Sequence, residues 1–424
     1  MRPQDYETQV IGLGPAGLGI VVAADRGHQL KSLLQKGTAF VEGREGLPNF
    51  GSGSLEGMTI ASNSIGHDFI SSIAPGGYFR DVYLKAQREM GARKTCAIPP
   101  GEVSKIMRHL AFRLHEIILD EMPLSKIIYG TSVRAIHQLG GEGKRQFKSV
   151  AANGREIFSK NMVLSTGAEE EKIDLGVHSD KLILSTDVLT GKALPKIRAQ
   201  IKANGRAKIV IMGSSHSAFS AAHCLLRKLH DVNLAPGSIE IVRRSNVRLF
   251  YESVAEAHAD HYKFDPVQDV CPKTGRVYRY SGLREDAKTL YKAIVAQQEP
   301  RVQIRNCHGN LDSASTIIQA IGYKARHIPL YDAQGNEISP LRNEQGKVEV
   351  DEHARVFDGA HAIIPGVFAI GHGHGIQPTP EIGGEPSAVN HPVDSINIFH
   401  GPIGADIVRQ IAARRAKIAR ALHL

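Results

Sequence analysis

The sequence predicts an α/β protein with two dinucleotide-binding units and a small antiparallel meander, on three observations. Two turns rich in small residues, Gly12-Leu13-Gly14-Pro15-Ala16-Gly17 and Gly213-Ser214-Ser215-His216-Ser217-Ala218, each follow an apolar strand-like run. Each turn then opens into an apolar helix, whose N-terminus can hold a pyrophosphate. Between the two turns, short alternating runs over residues 132–158 predict the meander. The pair of turns therefore predicts two bound nucleotides.

The first turn fits the dinucleotide fingerprint because glycine stands at each position that needs one. Gly12 permits a sharp turn, Gly14 lets the backbone approach a pyrophosphate, and Gly17 lets helix and strand pack closely. The next strand, residues 39–41, ends in Glu42, where a carboxylate is expected to accept hydrogen bonds from ribose hydroxyls. The alternative is a glycine-rich turn that binds nothing. The predicted binding residues are Gly12, Gly14, Pro15, Ala16, Gly17 and Glu42.

The second unit repeats this design with a different strand end. Its second strand, residues 239–242, is followed by Arg243 and Arg244 rather than by a carboxylate. Guanidinium groups suit a 2′-phosphate, so the pair favours NADPH over NADH; a solvated surface pair is the alternative. Serines and a histidine replace the commoner glycines of this turn. The predicted binding residues are Gly213, Ser215, His216, Ser217, Arg243 and Arg244.

Three later strand ends extend the pattern, because buried runs near residues 161–168, 316–323 and 366–371 each close on a glycine. Such glycines lie at the sheet edge where α/β proteins bind ligands. We therefore expect cofactor contacts at Thr166, Gly167, Gly371 and His372.

The length and composition are typical of a large enzyme, and the net positive charge favours anionic ligands. The 424 residues suffice for two or three domains, and the formal charge of +9 is spread along the chain without a basic block. This pattern favours anionic cofactors and gives no concentrated face for nucleic acid. No apolar run reaches the about 20 residues that span a bilayer. The first predicted strand begins at Thr8, which leaves no room for a signal peptide, so we expect a cytoplasmic protein without membrane partners.

Cysteines and histidines give no redox pair or metal site in the sequence. None of Cys96, Cys224, Cys271 and Cys307 belongs to a C-x-x-C motif, which disfavours electron relay through a dithiol. The histidine pairs at 372 and 374 and at 258 and 261 offer too few ligands for a closed zinc site. We therefore predict no metal.

Taken together, these positions resemble the two-dinucleotide-binding flavoproteins of the glutathione-reductase-like type, and the resemblance covers most of the chain. It implies two Rossmann-like domains, one for FAD and one for NADPH. The FAD domain would have a first part at residues 1–168 and a second part, with a C-terminal helix, at 318–424. The inserted NADPH domain would occupy residues 169–317.

Three further segments carry a closer resemblance. They are Gly57-Met58-Thr59-Ile60-Ala61-Ser62, the Ser217-Ala218 pair, and Asn397-Ile398-Phe399-His400-Gly401 before a predicted helix. These segments are similar to those of the N-hydroxylating flavin monooxygenases, which oxidise amines such as lysine or ornithine. The resemblance implies that Met58 and Ser62 lie beside the flavin and that Asn397 and His400 lie near its pyrimidine edge. Gly401 would open a helix whose N-terminus stabilises negative charge on the reduced flavin.

The activity that the resemblance implies is an NADPH-dependent FAD monooxygenation. One oxygen atom of O₂ would pass to a small polar substrate, at an amine nitrogen, through a C4a-hydroperoxyflavin. Two alternatives stay open: an NAD(P)H-dependent reductase or oxidase without oxygenation, and a non-catalytic nucleotide-binding protein. Residues 248–283, rich in Tyr, His and Asp, are expected to be either part of a substrate pocket or a long surface loop. Family likeness favours a homo-oligomer.

Overall fold

A computed structural model describes residues 5–46, 50–58, 60–62, 64–140, 146–176, 178–204, 208–306, 311, 313–388, 393 and 395–421. Its strands are β1 (Asp5–Ile11), β2 (Thr38–Val41), β3 (Lys126–Ile128), β4 (Val133–Gln138), β5 (Phe147–Ala151), β6 (Glu156–Leu164), β7 (Ala168–Glu169), β8 (Leu182–Leu184), β9 (Ile209–Met212), β10 (Ile239–Arg243), β11 (Val302–Asn306), β12 (Thr316–Gln319), β13 (Lys324–Ala325), β14 (Leu330–Tyr331), β15 (Arg355–Phe357) and β16 (Ile363–Ala369). Its helices are α1 (Pro15–Arg26), α2 (Leu30–Gln35), α3 (Gly66–Ile70), α4 (Arg80–Met90), α5 (Pro100–Glu121), α6 (Ser185–Leu189), α7 (Leu194–Asn204), α8 (His216–Lys228), α9 (Val254–Ala259), α10 (Glu285–Val295), α11 (Ile396–Phe399) and α12 (Pro402–Ala421).

The first sheet has a parallel core in the order β3-β2-β1-β6-β16. Val10 of β1 lies opposite Phe40 on one side and Val163 on the other, and all three side chains are buried. Continuous apolar strands of this kind are expected where helices cover both faces of a parallel sheet. The carboxyl ends of β1, β2, β6 and β16 therefore meet at one edge.

Strand β6 belongs to two structures at once. Its first half pairs antiparallel with β5, which pairs with β4, and this confirms the predicted meander. Its second half joins β16 and β1 in the parallel core. The two runs that the sequence suggests separately, at residues 154–158 and 161–168, are thus one continuous strand. The polar residues between them stay in the ladder, where Lys160 forms an ion pair with Glu7 of β1 at 2.8 Å.

The second sheet is parallel throughout, in the order β11-β10-β9-β12-β8. It encloses a separate apolar core, in which Ile209 and Ile211 of β9 pack with Phe219 of α8. The two sheets confirm the predicted class of two Rossmann-like units. In the first unit β1 lies between β2 and β6, and in the second unit β9 lies between β10 and β12. The turn after β1 and the turn after β9 therefore each lie at a topological switch point.

The chain passes twice between the two sheets, and the two crossings lie side by side as the antiparallel pair β7–β13. Lys324 and Glu171 form an ion pair across it at 2.7 Å, as do Arg326 and Glu169 at 3.2 Å. The domain boundaries at residues 168/169 and 317/318 stay predictions. Strand β12 runs to Gln319, two residues beyond the second of them.

Helix α12 follows the return of the chain to the first sheet and packs against α1. The two helices approach closely through glycines, because a Cβ at Gly404 would lie 2.8 Å from the carbonyl oxygen of Gly19. The inner face of α12 carries Ile403, Ile407 and Ile411, which are buried. In the part of the chain that the structure describes, no helix combines the length and apolar character needed to cross a membrane.

Candidate active site

The first turn is built so that only glycine fits at its two ends. Gly12 has φ +93°, and a Cβ there would lie 2.3 Å from the carbonyl oxygen of Ser165, because β6 ends beside β1. A Cβ at Gly17 would lie 2.1 Å from the carbonyl oxygen of Gly12. The Ser165 hydroxyl also donates to that oxygen at 2.7 Å. The turn therefore lies in close contact with the sheet edge and leads directly into the N-terminus of α1. This arrangement is the one that a pyrophosphate site requires.

Helix α1 begins in the way that such a site needs. Gly14 is its N-cap and Pro15 occupies the first helical position, where no backbone N–H is lost to the helix. Gly371, which follows β16, has φ +110°, and a Cβ there would lie 2.8 Å from the Cβ of Ala16. The structure therefore brings together the first turn and the third of the predicted strand ends.

Glu42 lies at the end of β2, directly beside this turn. Its carboxylate accepts hydrogen bonds from the backbone N–H of Leu13 at 3.2 Å and from that of Arg44 at 3.0 Å. Only 9% of Glu42 is exposed. A carboxylate offers about four acceptor sites, so capacity for ribose hydroxyls remains. These residues fit the adenosine end of FAD.

Thr166 and Gly167 connect the end of β6 to the crossing strand β7. Gly167 has φ +73°, and the Thr166 hydroxyl donates to the carbonyl oxygen of Arg326 at 3.4 Å. They lie at the same sheet edge as Gly12, through the contact of Ser165 with that turn.

The second turn repeats the first in geometry despite its irregular sequence. Gly213 has φ +115°, and a Cβ there would lie 2.2 Å from the carbonyl oxygen of Ala320, at the end of the neighbouring strand β12. Ser215 is the N-cap of α8, which begins at His216. The glycine that the backbone needs is thus present, and serines take only positions where a Cβ is accommodated.

His216 stands at the first position of α8 as a neutral imidazole. Burial, with a smaller contribution from the nearby Arg284 guanidinium, lowers its pKa to about 4. Its Nδ1 is buried and has no hydrogen-bond partner among the described residues. A neutral ring at this helix end leaves the partial positive charge of the helix N-terminus uncompensated, which suits an anionic ligand.

Arg243 and Arg244 lie at the carboxyl end of β10, next to the second turn. The backbone N–H of Gly213 donates to the carbonyl oxygen of Val242 at 3.0 Å, which fixes this proximity. Arg243 Nη1 donates to Asn246 Oδ1 at 3.1 Å, and Arg244 is exposed. Both positions suit a 2′-phosphate on a nucleotide held by the turn.

A tyrosine that sequence reasoning did not select joins the two domains. The ring centroids of Tyr323 and His372 lie 4.9 Å apart, and the Tyr323 hydroxyl lies 3.1 Å from Thr186 Oγ1. Burial raises the pKa of Tyr323, whereas the Thr186 and Ser217 hydroxyls nearby act in the opposite direction. Tyr323 therefore connects His372, at the edge of the first site, with Ser217, in the second turn. Its signal in the sequence was its place just after a strand-ending glycine.

Met58 and Ser62 lie on a segment between the domains. A Cβ at Gly57 would lie 3.9 Å from Thr190 Cγ2 of the second domain, and Ile60 packs against the second core. Met58 is partly exposed, whereas Ser62 is buried and donates to the carbonyl oxygen of Ser64 at 2.5 Å. Thr59 of the same motif lies outside the described residues.

Asn397 lies on α11, and its carbonyl oxygen contacts the segment that leads into α12, as Gly401 also does. The Ser72 hydroxyl donates to the Asn397 carbonyl oxygen at 3.4 Å. A Cβ at Gly401 would lie 2.6 Å from that same oxygen. The glycine therefore lets the chain turn sharply before α12 begins at Pro402.

His400 is fully buried behind the first turn of α1. Its Nε2 lies 2.8 Å from the carbonyl oxygen of Pro15, which can only accept, so this nitrogen carries the proton. Burial lowers the pKa of His400 to about 4, so the ring is neutral. The geometry gives His400 a positioning role at the start of α1. Its place near the pyrimidine edge of a flavin stays a prediction.

Residues 248–283 pack partly into the second core and contact residues 382–387, while many of their side chains are exposed. Tyr251, Cys271 and Val277 are buried. The buried carboxylate of Glu385 accepts hydrogen bonds from the backbone N–H of Tyr280 at 3.1 Å and from the Ser281 hydroxyl at 3.0 Å. The excursion is thereby tied to the chain that follows His372. A role in a substrate pocket stays a prediction.

The histidine and cysteine side chains show no arrangement for a metal or a disulfide within the described ranges. No three His, Cys, Asp or Glu side chains there are grouped as a metal ion would need. His258 packs against Phe264 with ring centroids 5.2 Å apart. Cys224 and Cys271 are buried, Cys96 is exposed, and Cys307 lies outside the described residues.

Comparison with known proteins places these observations in context. A family model described as pyridine nucleotide-disulphide oxidoreductase matches residues 6–382. A CMP-5′-(3-aminopropyl)phosphonate hydroxylase from Streptomyces rubellomurinus is 28% identical over 443 aligned positions, covering 96% of this chain and 98% of that protein.

Two solved structures share the architecture. L-lysine 6-monooxygenase from Pseudomonas syringae has a TM-score of 0.57 at 15% identity, covering 97% of this chain and 99% of that one. Ornithine hydroxylase from Pseudomonas aeruginosa has a TM-score of 0.58 at 13% identity, covering 97% and 100%. At these identities the likeness is one of fold, and it confirms the predicted class.

Proposed function

Because the chain belongs to the pyridine nucleotide-disulphide oxidoreductase family, we propose that it is an NADPH-dependent FAD monooxygenase that hydroxylates a small polar amine. Family membership together with the flavin monooxygenase neighbours gives FAD and NADPH as its cofactors. The observation that carries the proposal is the pair of glycine turns, one in each domain, with Tyr323 between Ser217 of the second turn and His372 after β16.

In this proposal each of the two turns binds one of the two cofactors. The N-terminus of α1 and the Gly12 turn would hold the FAD pyrophosphate, and Glu42 its ribose. The N-terminus of α8 would hold the NADPH pyrophosphate, with Arg243 and Arg244 on the 2′-phosphate. Bound flavin supplies hydride acceptance and oxygen activation, whereas the protein supplies orientation and a site without bulk water.

Oxygenation is favoured over electron relay by the cysteines and by the relative from Streptomyces. No C-x-x-C motif occurs in the sequence, so the dithiol of a disulfide reductase is missing. The relative is named as a hydroxylase of a compound that bears an aminopropyl group. An amine nitrogen is a nucleophile suited to accept an oxygen atom. Oxygen transfer through a C4a-hydroperoxyflavin stays a prediction.

Stopped-flow absorbance separates the proposed activity from its alternatives. The FAD-loaded protein is reduced anaerobically by NADPH and then mixed with oxygenated buffer. We expect a flavin spectrum, distinct from those of oxidised and reduced FAD, that persists before the oxidised spectrum returns. Immediate reoxidation with release of peroxide would instead assign a reductase or oxidase. Absence of reduction by NADPH would assign a nucleotide-binding protein without catalysis.

Product analysis tests the amine assignment itself. Purified enzyme with NADPH and O₂ is offered lysine, ornithine and 3-aminopropylphosphonate, and hydroxylamine is measured against NADPH consumed. We expect at least one of these amines to give hydroxylamine in proportion to NADPH. A persistent flavin spectrum without any hydroxylamine would contradict oxidation at nitrogen while leaving monooxygenation in place.

A further inference from the structure

Three arginines in and just after the 248–283 excursion have no carboxylate in direct contact within the described residues, although Glu252 and Asp68 lie near enough to Arg284 to act on its pKa. We call Arg248, Arg279 and Arg284 the arginine group. Within the described residues, none of the three lies within 4.0 Å of a carboxylate oxygen, whereas their neighbour Arg276 pairs with Glu252 at 2.8 Å. Half-buried guanidinium groups normally have an anionic partner.

The arginine group is held in place by contacts that leave its charge available. Arg284 lies over the Phe250 ring at 3.5 Å and donates to the carbonyl oxygen of Arg279 at 2.5 Å. Arg279 donates to the carbonyl oxygen of Ile382 at 2.8 Å. Each of these contacts fixes a guanidinium plane without neutralising it, since the partners are a ring and neutral carbonyl oxygens.

Arg248 completes the group from the start of the excursion. It donates to the Ser281 hydroxyl at 3.3 Å and to the carbonyl oxygen of Ser387 at 3.2 Å. The nearby carboxylates are already engaged: Glu385 accepts from Tyr280 and Ser281, and Asp269 accepts from the Tyr278 hydroxyl at 2.7 Å. These donors are neutral, so both carboxylates keep their charge, but within the described residues neither forms an ion pair with the arginine group, which therefore lacks a direct anionic partner.

The position of Arg284 is between the two domains. It is close enough to His216, in the second turn, and to Asp68, on α3 of the first domain, to shift the pKa of each. Burial lowers the pKa of Arg284 to about 10, which leaves it charged at neutral pH. The adjoining Glu285 has φ +47°, a strained conformation of the kind that concentrates at ligand sites.

Asp68 supplies an opposite charge on the facing domain. Its carboxylate has no ion-pair partner within 4.0 Å in the described part of the chain, and it is half-buried. A ligand with an ammonium group and an anionic group would find both charges between these two elements. Guanidinium groups in a fixed plane match the oxygens of phosphate and phosphonate with two hydrogen bonds each.

We propose that the arginine group binds a phosphate or phosphonate of the substrate, so that the amine hydroxylated by this enzyme belongs to the class of phosphorylated or phosphonylated amines. This inference rests on the proposed function and names the substrate class of its site. The name of the Streptomyces relative, whose compound carries a phosphonate, agrees with it.

The test compares two amines that differ only at one end. 3-Aminopropylphosphonate and butylamine share chain length and amine, and only the first carries a phosphonate. With the FAD-loaded enzyme, we expect a KM for 3-aminopropylphosphonate at least about tenfold below that for butylamine, because bidentate Arg contacts are strong. Calorimetry of the same enzyme, without turnover, should show the same order of affinity.

Variants assign the preference to the arginine group. Arg284→Gln and Arg279→Gln should each weaken calorimetric binding of 3-aminopropylphosphonate by at least about tenfold more than they weaken calorimetric binding of butylamine. Arg284→Lys keeps the charge without the planar fork and should give an intermediate loss. Arg276→Gln is the matched control, since Glu252 already balances that charge, and should change binding by less than about twofold.

Three outcomes would overturn the inference. Slower reduction of FAD by NADPH in Arg284→Gln, measured without substrate, would assign the arginine group to a cofactor phosphate. Equal KM values for the two amines would remove the phosphonate preference while the proposed amine hydroxylation stands. Failure of both amines and of CMP-5′-(3-aminopropyl)phosphonate, in an enzyme that hydroxylates lysine or ornithine, would also exclude this substrate class.

Discussion

Gly12 and Gly213 occupy equivalent places in the two domains. Gly12 follows β1 and Gly213 follows β9, and both have a positive φ. Each faces a carbonyl oxygen at the end of the neighbouring parallel strand, which is β6 for Gly12 and β12 for Gly213. A side chain is excluded at both positions by the backbone of the neighbouring strand. The need for glycine is therefore a property of strand order, and it is independent of whatever residues follow in the turn.

Replacing Gly12 by alanine should release FAD. The left-handed conformation costs an L residue about 1–2 kcal/mol, and the overlap with Ser165 forces the turn off the sheet edge. We expect FAD affinity to fall by at least about tenfold, measured by titration of the apoprotein with FAD. Gly76→Ala is the control, because a Cβ at Gly76 has no neighbour within 4 Å. Equal FAD affinity in the two variants would contradict this account.

Arg243 and Arg244 should decide between the two pyridine nucleotides. With both changed to alanine, the apparent KM for NADPH should rise much more than that for NADH, because only NADPH carries the 2′-phosphate. The comparison is made from initial rates of flavin reduction. Equal increases for both nucleotides would show that the pair contacts some other part of the cofactor, or none.

At the scale of an element, helix α1 is held in position by contacts with α11 and with His400, which follows it. His400 donates to Pro15 in its first turn, and Gly19 lets α11 approach so closely that a Cβ there would lie 2.6 Å from the Phe399 carbonyl oxygen. The N-terminus of α1, at the proposed FAD site, is thereby fixed by residues from the far end of the chain. Support of this kind holds a helix terminus in register with its ligand.

The neutral state of His400 makes stability depend on pH. Its pKa of about 4 in the folded protein lies below the ordinary value of 6.5, so unfolding takes up a proton between these values. The free energy of unfolding should therefore decrease as pH falls from 6.5 toward 4. His400→Gln keeps a donor for Pro15 without titrating, so its dependence should be less steep by about 1 kcal/mol per pH unit.

Urea unfolding followed by circular dichroism at several pH values measures this slope. His216, whose pKa burial also lowers to about 4, should leave a residual dependence in the variant. Exposed His178 changed to Gln should retain the slope of the parent protein. A parent slope that His400→Gln does not alter would show that His400 is protonated in the folded state.

At the scale of the whole molecule, hydrogen bonds to the Glu385 carboxylate connect the 248–283 excursion to the part of the chain that follows β16. Glu385→Ala would leave several buried donors without an acceptor, and we expect a loss of about 2–3 kcal/mol in the free energy of unfolding. The fraction of NADPH consumed without product should rise as well, since the excursion carries the arginine group. Glu385→Gln retains one acceptor oxygen and should show a smaller effect on both measurements. Identical effects of the two substitutions would contradict the hydrogen-bonding account.

Local signals in the sequence sufficed for the fold class and for the two turns. Gly12, Gly17 and Gly213 stand in short motifs beside the apolar runs that form β1, α1 and β9, so these motifs are visible in the sequence although the carbonyl oxygens that Gly12 and Gly213 face belong to distant parts of the chain. The roles of Tyr323 and Glu385 were invisible, because their partners come from the other domain. The burial of His400 likewise arises from α1, at the opposite end of the chain. Motif reasoning found the residues of the turns and helix starts, whereas their contacts with the other domain and with distant segments depend on tertiary packing.

The dual membership of β6 has a consequence for how the chain is made. Its partner β16 and the helix α12 emerge from the ribosome only after the whole inserted sheet, β8 to β12, has been synthesised. The inserted domain can therefore complete its fold while the first sheet still has an open edge at β6. During translation that edge is a site for wrong strand pairing, so we expect the nascent first domain to be the part that depends on chaperones.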